Sequence, residues 1–285
     1  MNTSIDLEMQ KQIQQLVRLA GMKAKQFRQD GFEVMEKGKN DYVTTADRAL
    51  DVLLTAQLQA WFPQDPIISE ENPISRQLSQ QQHQRFWLVD PIDGTDDFIQ
   101  GREHYSVMVG LLQDWQPILG WVYAPESDQM YYGGTSIGGI FTCTGESEAV
   151  LFVAKTPPVL SLDSCKVVIG DKDERNYGDR IRAAIPEVEF YGLGSFGLKV
   201  MEIISGNAGL YIYLNRRVKL WDTVGPLAIA KATGLVCCDL DGNPIKFDPT
   251  AFDPDSLAHH QGILIGWEDY IKELRPRLAA AIRNT

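Results

Sequence analysis

The apolar positions Ile13, Leu16, Val17, Ala20, Ala24 and Phe27 recur at spacings of three and four. That pattern predicts one amphipathic helix over about residues 5–27, closing before Gly31. A second helix is expected from Thr44 or Thr45 to just before Pro63, with Leu50, Leu53, Leu54, Leu58 and Trp61 as its apolar side. Thr44 and Asp47 fit a capping box at its start, hydroxyl and carboxylate each accepting a backbone amide. Between the helices a short stretch of mixed charge delivers Lys37, Lys39 and Asp41 to the next element. Shorter runs then read as strands: Ile67 and Ile68, ending in Ser69, Glu70 and Glu71; residues 87–90; and residues 104–112, 117–123 and 130–132. The Gln-rich run at 77–84 reads as exposed surface. Gly133, Gly134, Gly138 and Gly139 punctuate a further strand pair without the spacing of a dinucleotide fingerprint.

After residues 154–164, AKTPPVLSLDS, strands and helices alternate. Two prolines and polar turn residues make that segment the best interdomain connection, dividing the chain into residues 1–155 and 156–285. Strands are expected at 166–169, 188–191, 209–214 and 263–265. Helices are expected at 179–185, at 196–204, from just after Asp222 to about Ala232, and at 267–282, where Pro276 should bend or divide the last. Periodicity and composition together describe a mixed α/β protein.

The 285 residues are 44% hydrophobic and 23% charged, which fits a soluble globular chain with a large core. Against 27 basic side chains stand 38 acidic ones, a formal charge of −11. A binder of nucleic-acid polymers is therefore not expected, although a local basic pocket for a small phosphorylated metabolite is compatible with this balance. The sequence contains no apolar stretch long enough to cross a bilayer, and its start lacks the basic and then apolar regions of a signal peptide, so no membrane partner and a cytoplasmic location are expected. Cys143, Cys165, Cys237 and Cys238 form no Cys-x-x-Cys pair and read as reduced, buried small hydrophobes.

Chemistry concentrates in WLVDPIDGTDDF, residues 87–98. A strand runs into Asp90; Pro91 fixes φ, Gly94 permits a tight turn, and Thr95 can cap a helix beginning near Asp96. Asp90 and Asp93 on this elbow allow two hard oxygen ligands to converge while the amides near Gly94 and Thr95 face an anion. Taken alone, the stretch also reads as an Asp-Gly turn before a capped helix. Four carboxylates at 90, 93, 96 and 97 repel one another unless cations or protons offset them, and Asp96 and Asp97 are assigned to the positive end of the helix. Other separated acidic signals are Asp47, Glu70 and Asp222. Capping alone accounts for Asp47 and for Asp222; Glu70 and Glu71 fit either a solvated strand edge or an arrangement in which Glu70 turns toward Asp90. With no HExxH motif, cysteine pair or histidine cluster to favour zinc, hard carboxylate oxygens suit Mg²⁺. Arg216, Arg217 and Lys219 form either a solvated turn or the face toward a phosphorylated substrate.

Four motifs occur in order: DYVTTAD at 41–47, SEE at 69–71, WLVDPIDGT at 87–95 and WDTVGP at 221–226. In them the chain resembles the lithium-sensitive, Mg²⁺-dependent inositol monophosphatase-like phosphatase superfamily. The resemblance implies a layered αβαβα sandwich with a site at the junction of an N-terminal α+β domain and a C-terminal α/β domain that contributes Asp222. It implies metal contacts from Glu70, Asp90, Asp93, Asp222 and the main-chain carbonyl of Ile92. It also implies catalytic roles for Asp47, Thr95 and Glu70, with Asp47 and Thr95 orienting or activating water and the amides of Gly94 and Thr95 contacting phosphate. Water then attacks a phosphomonoester in line, without a phosphorylated protein intermediate.

GSFGLK at 194–199, GNAGLYIYL at 206–214 and KLWDT at 219–223 resemble the 3′(2′),5′-bisphosphate nucleotidase branch, which converts 3′-phosphoadenosine 5′-phosphate to AMP and phosphate. That likeness implies substrate contacts from Gly194, Ser195, Lys199, Lys219 and Asp222; for Lys199 the alternative is helix solubility. The chain departs from the patterns twice. Asn215 stands where inositol monophosphatases commonly place an inositol-contacting Glu, and Asp96 and Asp97 stand where nucleotidases often carry Lys-Glu. An inositol, fructose or sugar phosphatase is the enzymatic alternative, and a noncatalytic phosphate-metabolite sensor the nonenzymatic one. A homodimer is a possibility that the family brings.

Overall fold

A computed structural model describes residues 5–38, 41–80, 83–145, 147–152, 154–155 and 165–283. Helix α1 (Leu7–Asp30) is capped by Asp6, whose carboxylate accepts the Met9 amide at 2.9 Å, and it buries Ile13, Leu16, Val17, Ala20 and Ala24. Strands β1 (Val34–Gly38) and β2 (Asp41–Thr44) form an antiparallel hairpin. No strand is expected from the mixed-charge stretch there: β1 is almost wholly exposed, so it carries no alternation to read. Helix α2 (Thr45–Trp61) has the expected capping box. Then come β3 (Ile67–Ser69), a 3-10 turn (Pro73–Gln80), β4 (Arg85–Asp93) and α3 (Thr95–Ile99). Strands β5 (Ser106–Gln113), β6 (Gln116–Ala124), β7 (Gln129–Gly134), β8 (Gly139–Thr144) and β9 (Val150–Leu151) follow. Strands β3 to β9 lie in sequence order in one seven-stranded sheet, parallel at β3–β4 and antiparallel thereafter.

The remainder comprises β10 (Cys165–Ile169), α4 (Asp171–Ala184), β11 (Val188–Tyr191), α5 (Phe196–Ile204), β12 (Leu210–Tyr213) and α6 (Leu220–Ala232), then β13 (Val236–Cys238), β14 (Ile263–Gly266) and α7 (Glu268–Arg283). Its five-stranded sheet has the order β11-β10-β12-β14-β13. Helices α1 and α2 cover the outer face of the large sheet, α5 and α6 lie between the two sheets, and α4 and α7 cover the far face of the small one. The result is the αβαβα sandwich. Its middle core joins Leu88, Met108 and Val122 of the large sheet to Val168, Tyr211 and Ile265 of the small one through Val200, Trp221 and Leu227.

Several local expectations are corrected. Strand β4 continues through Pro91 to Asp93, because its pairing with β5 breaks register between Asp90 and Asp93 and the proline falls in that irregularity, where no ladder donor is needed. Helix α4 starts at Asp171 rather than near 179; its early turns are polar and bury little besides Asp173, which hides the helical period. Helix α6 takes Trp221 and Asp222 into its first turn instead of following them. Helix α7 is one helix across Pro276 and is not divided. Lys39, Gln81 and Gln82, and residues 156–164 of the interdomain segment, lie outside the described residues.

Helix α6 meets the large sheet almost backbone to backbone. Gly110 and Gly120 pair across β5 and β6, and a Cβ added to Gly120 would stand 2.0 Å from the carbonyl oxygen of Gly225, one added to Gly110 2.5 Å from the Gly225 nitrogen. No flexible side chain is available to move aside. Gly120→Ala is therefore expected to destabilise the chain by about 3 kcal/mol through overpacking. Denaturant unfolding checks this, and an unchanged midpoint would mean that α6 can lift off the sheet at little cost.

Candidate active site

The acidic elbow lies at the end of β4. Gly94 adopts φ 93°, and a Cβ there would meet the His104 carbonyl oxygen at 2.9 Å, so glycine serves both the turn and the close approach. Gly94 is the N-cap of α3, which begins at Thr95; the expected cap by Thr95 is corrected. The Thr95 hydroxyl is instead within donating distance of the Ile92 carbonyl, 3.0 Å, and of Asp47 Oδ1, 3.4 Å. Asp47, buried on the first turn of α2, accepts from the Thr44 amide at 2.8 Å and the Thr44 hydroxyl at 2.5 Å through Oδ2. The capping oxygen and the oxygen facing Thr95 are thus different atoms. Capping and chemistry do not compete for this residue.

Glu70 follows β3, Asp90 lies in β4 and Asp222 on the first turn of α6, and ligand oxygens of the three lie within 4.8 Å of one another. Asp222 accepts the Lys219 amide at 2.6 Å from inside the helix, which fixes its carboxylate toward the other two. Asp90 Oδ1 is buried without a hydrogen-bond partner. Burial holds the Asp90 carboxyl well above the ordinary carboxylate range, and Glu70, Asp93 and Asp222 push it further; Asp90 and Asp222 stand close enough to share a proton. Burial, then Glu70, raises Asp222 to about 7, against the pull of Lys219. Burial also raises Asp47 to about 6, opposed by its bonds from Thr44. Three converging carboxylates with an orphaned buried oxygen fit a hard divalent cation.

Asp93 lies beside this cluster with its Oδ2 held by the Gly197 amide at 2.8 Å and the Ser195 hydroxyl at 2.5 Å. Burial raises its carboxyl, and these bonds moderate the shift. Glu70 and Glu71 share the Lys37 ammonium of β1 at 3.1 and 2.8 Å. Neither is a solvated strand edge, and burial lifts Glu71 to about 7 with Glu70 adding to it and Lys37 opposing.

A cleft of about 680 Å³ opens beside the cluster, lined by Glu70, Gly94, Thr95, Gly194 and Lys199 among others. Lys199 is only 7% exposed and donates to the Gly194 carbonyl at 3.1 Å, so helix solubility does not explain it. Burial lowers its pKa while Asp93, Asp97 and Asp171 oppose the shift. Ser195 is fully buried, donates to Asp93 and accepts the Leu198 amide at 2.9 Å. It stands behind the carboxylate rather than on the cleft wall. The Lys219 ammonium lies 5.3 Å from the centroid of the Trp221 ring. Of the basic group, Arg217 lines the cleft and Arg216 lines a separate cavity.

The structure therefore brings Asp47, Glu70, Asp90, Ile92, Asp93, Gly94, Thr95 and Asp222 into one locality, with Gly194 and Lys199 on the adjoining wall. Asp97, expected to serve only the helix dipole, accepts the Gly194 amide at 3.0 Å and binds Arg102, tying α3 to the second half of the chain. Lys172 and Arg175 of α4 also line the cleft. No motif announced them, since they sit in a polar helix start that reads as ordinary surface.

The described helices include none long and apolar enough to cross a membrane. A model of the inositol monophosphatase family matches residues 4–283. The chain is 31% identical over 241 residues to the 3′(2′),5′-bisphosphate nucleotidase CysQ of Escherichia coli K12, covering 84% of this chain and 93% of that one. It is 27% identical to a fructose-1,6-bisphosphatase/inositol-1-monophosphatase of Aquifex aeolicus, over 70% of this chain and 73% of the other. Among solved structures, the Thermotoga maritima IMPase superposes with a TM-score of 0.73 at 20% identity, covering 96% and 98% of the two chains.

Proposed function

The chain belongs to the inositol monophosphatase family and is a phosphatase of that superfamily, and we propose that it is a Mg²⁺-dependent nucleotidase that removes the 3′-phosphate of 3′-phosphoadenosine 5′-phosphate. The convergence of Glu70, Asp90 and Asp222 from three separate elements carries the hydrolytic part of this reading. Likeness to CysQ over most of both chains supports the substrate. Glu70, Asp90 and Asp222, joined by Asp93 and the Ile92 carbonyl, would hold the ion. When bound, Mg²⁺ supplies positive charge to the phosphoryl oxygens and lowers the pKa of water.

The chain's own groups do the positioning. Asp47, titrating near 6, keeps one oxygen on Thr44 and turns the other to the Thr95 hydroxyl, so the pair can orient a water and take its proton near neutral pH. The amides of Gly94 and Thr95 sit at the cleft to meet the phosphoryl oxygens. Lys199 places a buried positive charge on the same wall. No side chain needs to be phosphorylated.

A fructose or inositol phosphatase is the second reading, favoured by the Aquifex relative and weakened for inositol by Asn215. Phosphate release is to be measured from 3′-phosphoadenosine 5′-phosphate, inositol monophosphate and fructose 1,6-bisphosphate, with Mg²⁺ or a chelator. The nucleotide is expected to give the highest kcat/KM and to yield AMP, with activity lost on chelation. Preference for either other compound overturns the substrate, and metal-dependent binding without release identifies a sensor instead.

A further inference from the structure

The cleft is electrostatically two-sided. The phosphoryl end carries Glu70, Asp96 and Asp97 with Arg102, whereas the wall built by α4 and the turn after β12 carries Lys172, Arg175 and Arg217 beside a single acid, Asp171. None of those three cations is in an ion pair with a described residue, in a chain whose net charge is −11. Such a cluster favours an anion from solution over internal pairing.

The wall is also held in place. Asp173, on the first turn of α4 and fully buried, accepts the Leu214 amide at 2.8 Å and the Asn215 amide group at 3.4 Å through Oδ2. Asn215 Oδ1 in turn accepts the Tyr213 hydroxyl at 2.6 Å and the Arg217 amide at 3.2 Å. Arg216, between them, takes φ 56°, a left-handed conformation that a non-glycine residue adopts only when its surroundings impose it. The consequence is that Arg216 and Arg217 point into different cavities, Arg217 sharing the active cleft with α4. The ammonium of Lys199 reaches the root of α4, 3.9 Å from where a Cβ on Gly170 would lie, so the positive wall continues to the reaction end.

We propose that Lys172, Arg175 and Arg217 form a second anion subsite that selects phosphomonoesters bearing another anionic group at a distance from the phosphate removed, with Asp173 and Asn215 as its positioning residues. The proposal rests on the phosphatase reading above and deepens it. It gives Asn215 a task that a carboxylate would perform badly: its amide donates to Asp173 while its oxygen fixes Arg217, and it adds no negative charge beside the subsite. The three cations lie on an exposed wall, so charge-assisted bonds to a phosphate there are expected to act mainly on substrate capture.

The test compares the wild type with K172A/R175A and, separately, R217A on matched pairs: 3′-phosphoadenosine 5′-phosphate against adenosine 3′-monophosphate, and fructose 1,6-bisphosphate against fructose 1-phosphate. Lys172 and Arg175 are exposed, so their loss leaves the core intact. In the wild type the bisphosphate of the preferred pair is expected to have the higher kcat/KM. The double variant should cut that preference about tenfold or more, with the loss in KM. A preference that survives in the double variant, or an equal loss on both members of a pair, overturns the subsite. Should the fructose pair be preferred and its bisphosphate preference collapse in the variant, the subsite stands and the nucleotide assignment falls. If neither pair is hydrolysed, both fall.

Discussion

Asp90→Asn is expected to lower turnover about a thousandfold and, at the same time, to raise the melting temperature of the chelator-treated protein. The first effect follows from the loss of one carboxylate of a converging set: charge stabilisation by a bound divalent ion amounts to several kcal/mol, and about 4 kcal/mol is a thousandfold in rate. The second follows from burial. Asp90 is enclosed among Glu70, Asp93 and Asp222 with an orphaned oxygen, so without a cation it is a source of repulsion and desolvation cost. An asparagine amide donates to Asp222 permanently, where the aspartate pair must share a proton. About 1 kcal/mol of stabilisation, or roughly 3 °C, is the expected scale. Steady-state kinetics and thermal melts of the same preparation read both effects. Normal turnover with an unchanged melt would remove Asp90 from the centre.

The stability of the metal-free protein should fall as pH rises from about 4 to 7. Asp47, Glu71 and Asp222 titrate at about 6, 7 and 7 when folded, all raised chiefly by burial, whereas free carboxyls titrate near 4. Between those values the folded chain holds more protons than the unfolded chain. Stability is therefore greatest below the unfolded values, declines through the window and levels off above the folded ones. Asp222 alone amounts to a few kcal/mol on this scale, about 1.4 kcal/mol for each unit.

Divalent cation and proton compete for the same oxygens, so Mg²⁺ should stabilise strongly at pH 8 and weakly at pH 5. At a hundred times its dissociation constant the ion contributes about 2.7 kcal/mol, roughly 5–10 °C in a chain of this size. Melting curves across that pH range, with Mg²⁺ and with chelator, test the linkage. Equal increments at both pH values would show that the ion binds away from these carboxylates.

How much of this was readable in sequence depends on what each element buries. Helix α1 buries one clean stripe and α5 is buried almost all round by apolar residues, so both are visible in the sequence. Strand β1 and the start of α4 meet mostly solvent, and neither carries a period. At the site, the motif order pointed to Glu70, Asp90, Asp93 and Asp222, but not to their mutual arrangement. Asp222 comes from a helix of the second half of the chain seated on the sheet that carries Asp90, and its approach to Asp90 depends on three glycines whose partners are far apart in the chain. Lys172 and Arg175 were invisible for another reason: an exposed cation has no local signature, and only the loop fixed by Asp173 reveals what it faces.

The glycine seat also limits how such a protein can be recombined. Because α5 and α6 of the second half fill the space between the sheets, the inner surface of the large sheet is covered by the other half of the chain. A piece ending before residue 165 would carry the metal-side acids with a bare apolar face, and a piece starting there would carry α6 with nothing to sit on. Substrate preference is therefore not a cassette that can be moved between relatives by joining one front half to another back half: the graft would first have to reproduce a contact in which two strands and a helix touch without side chains between them.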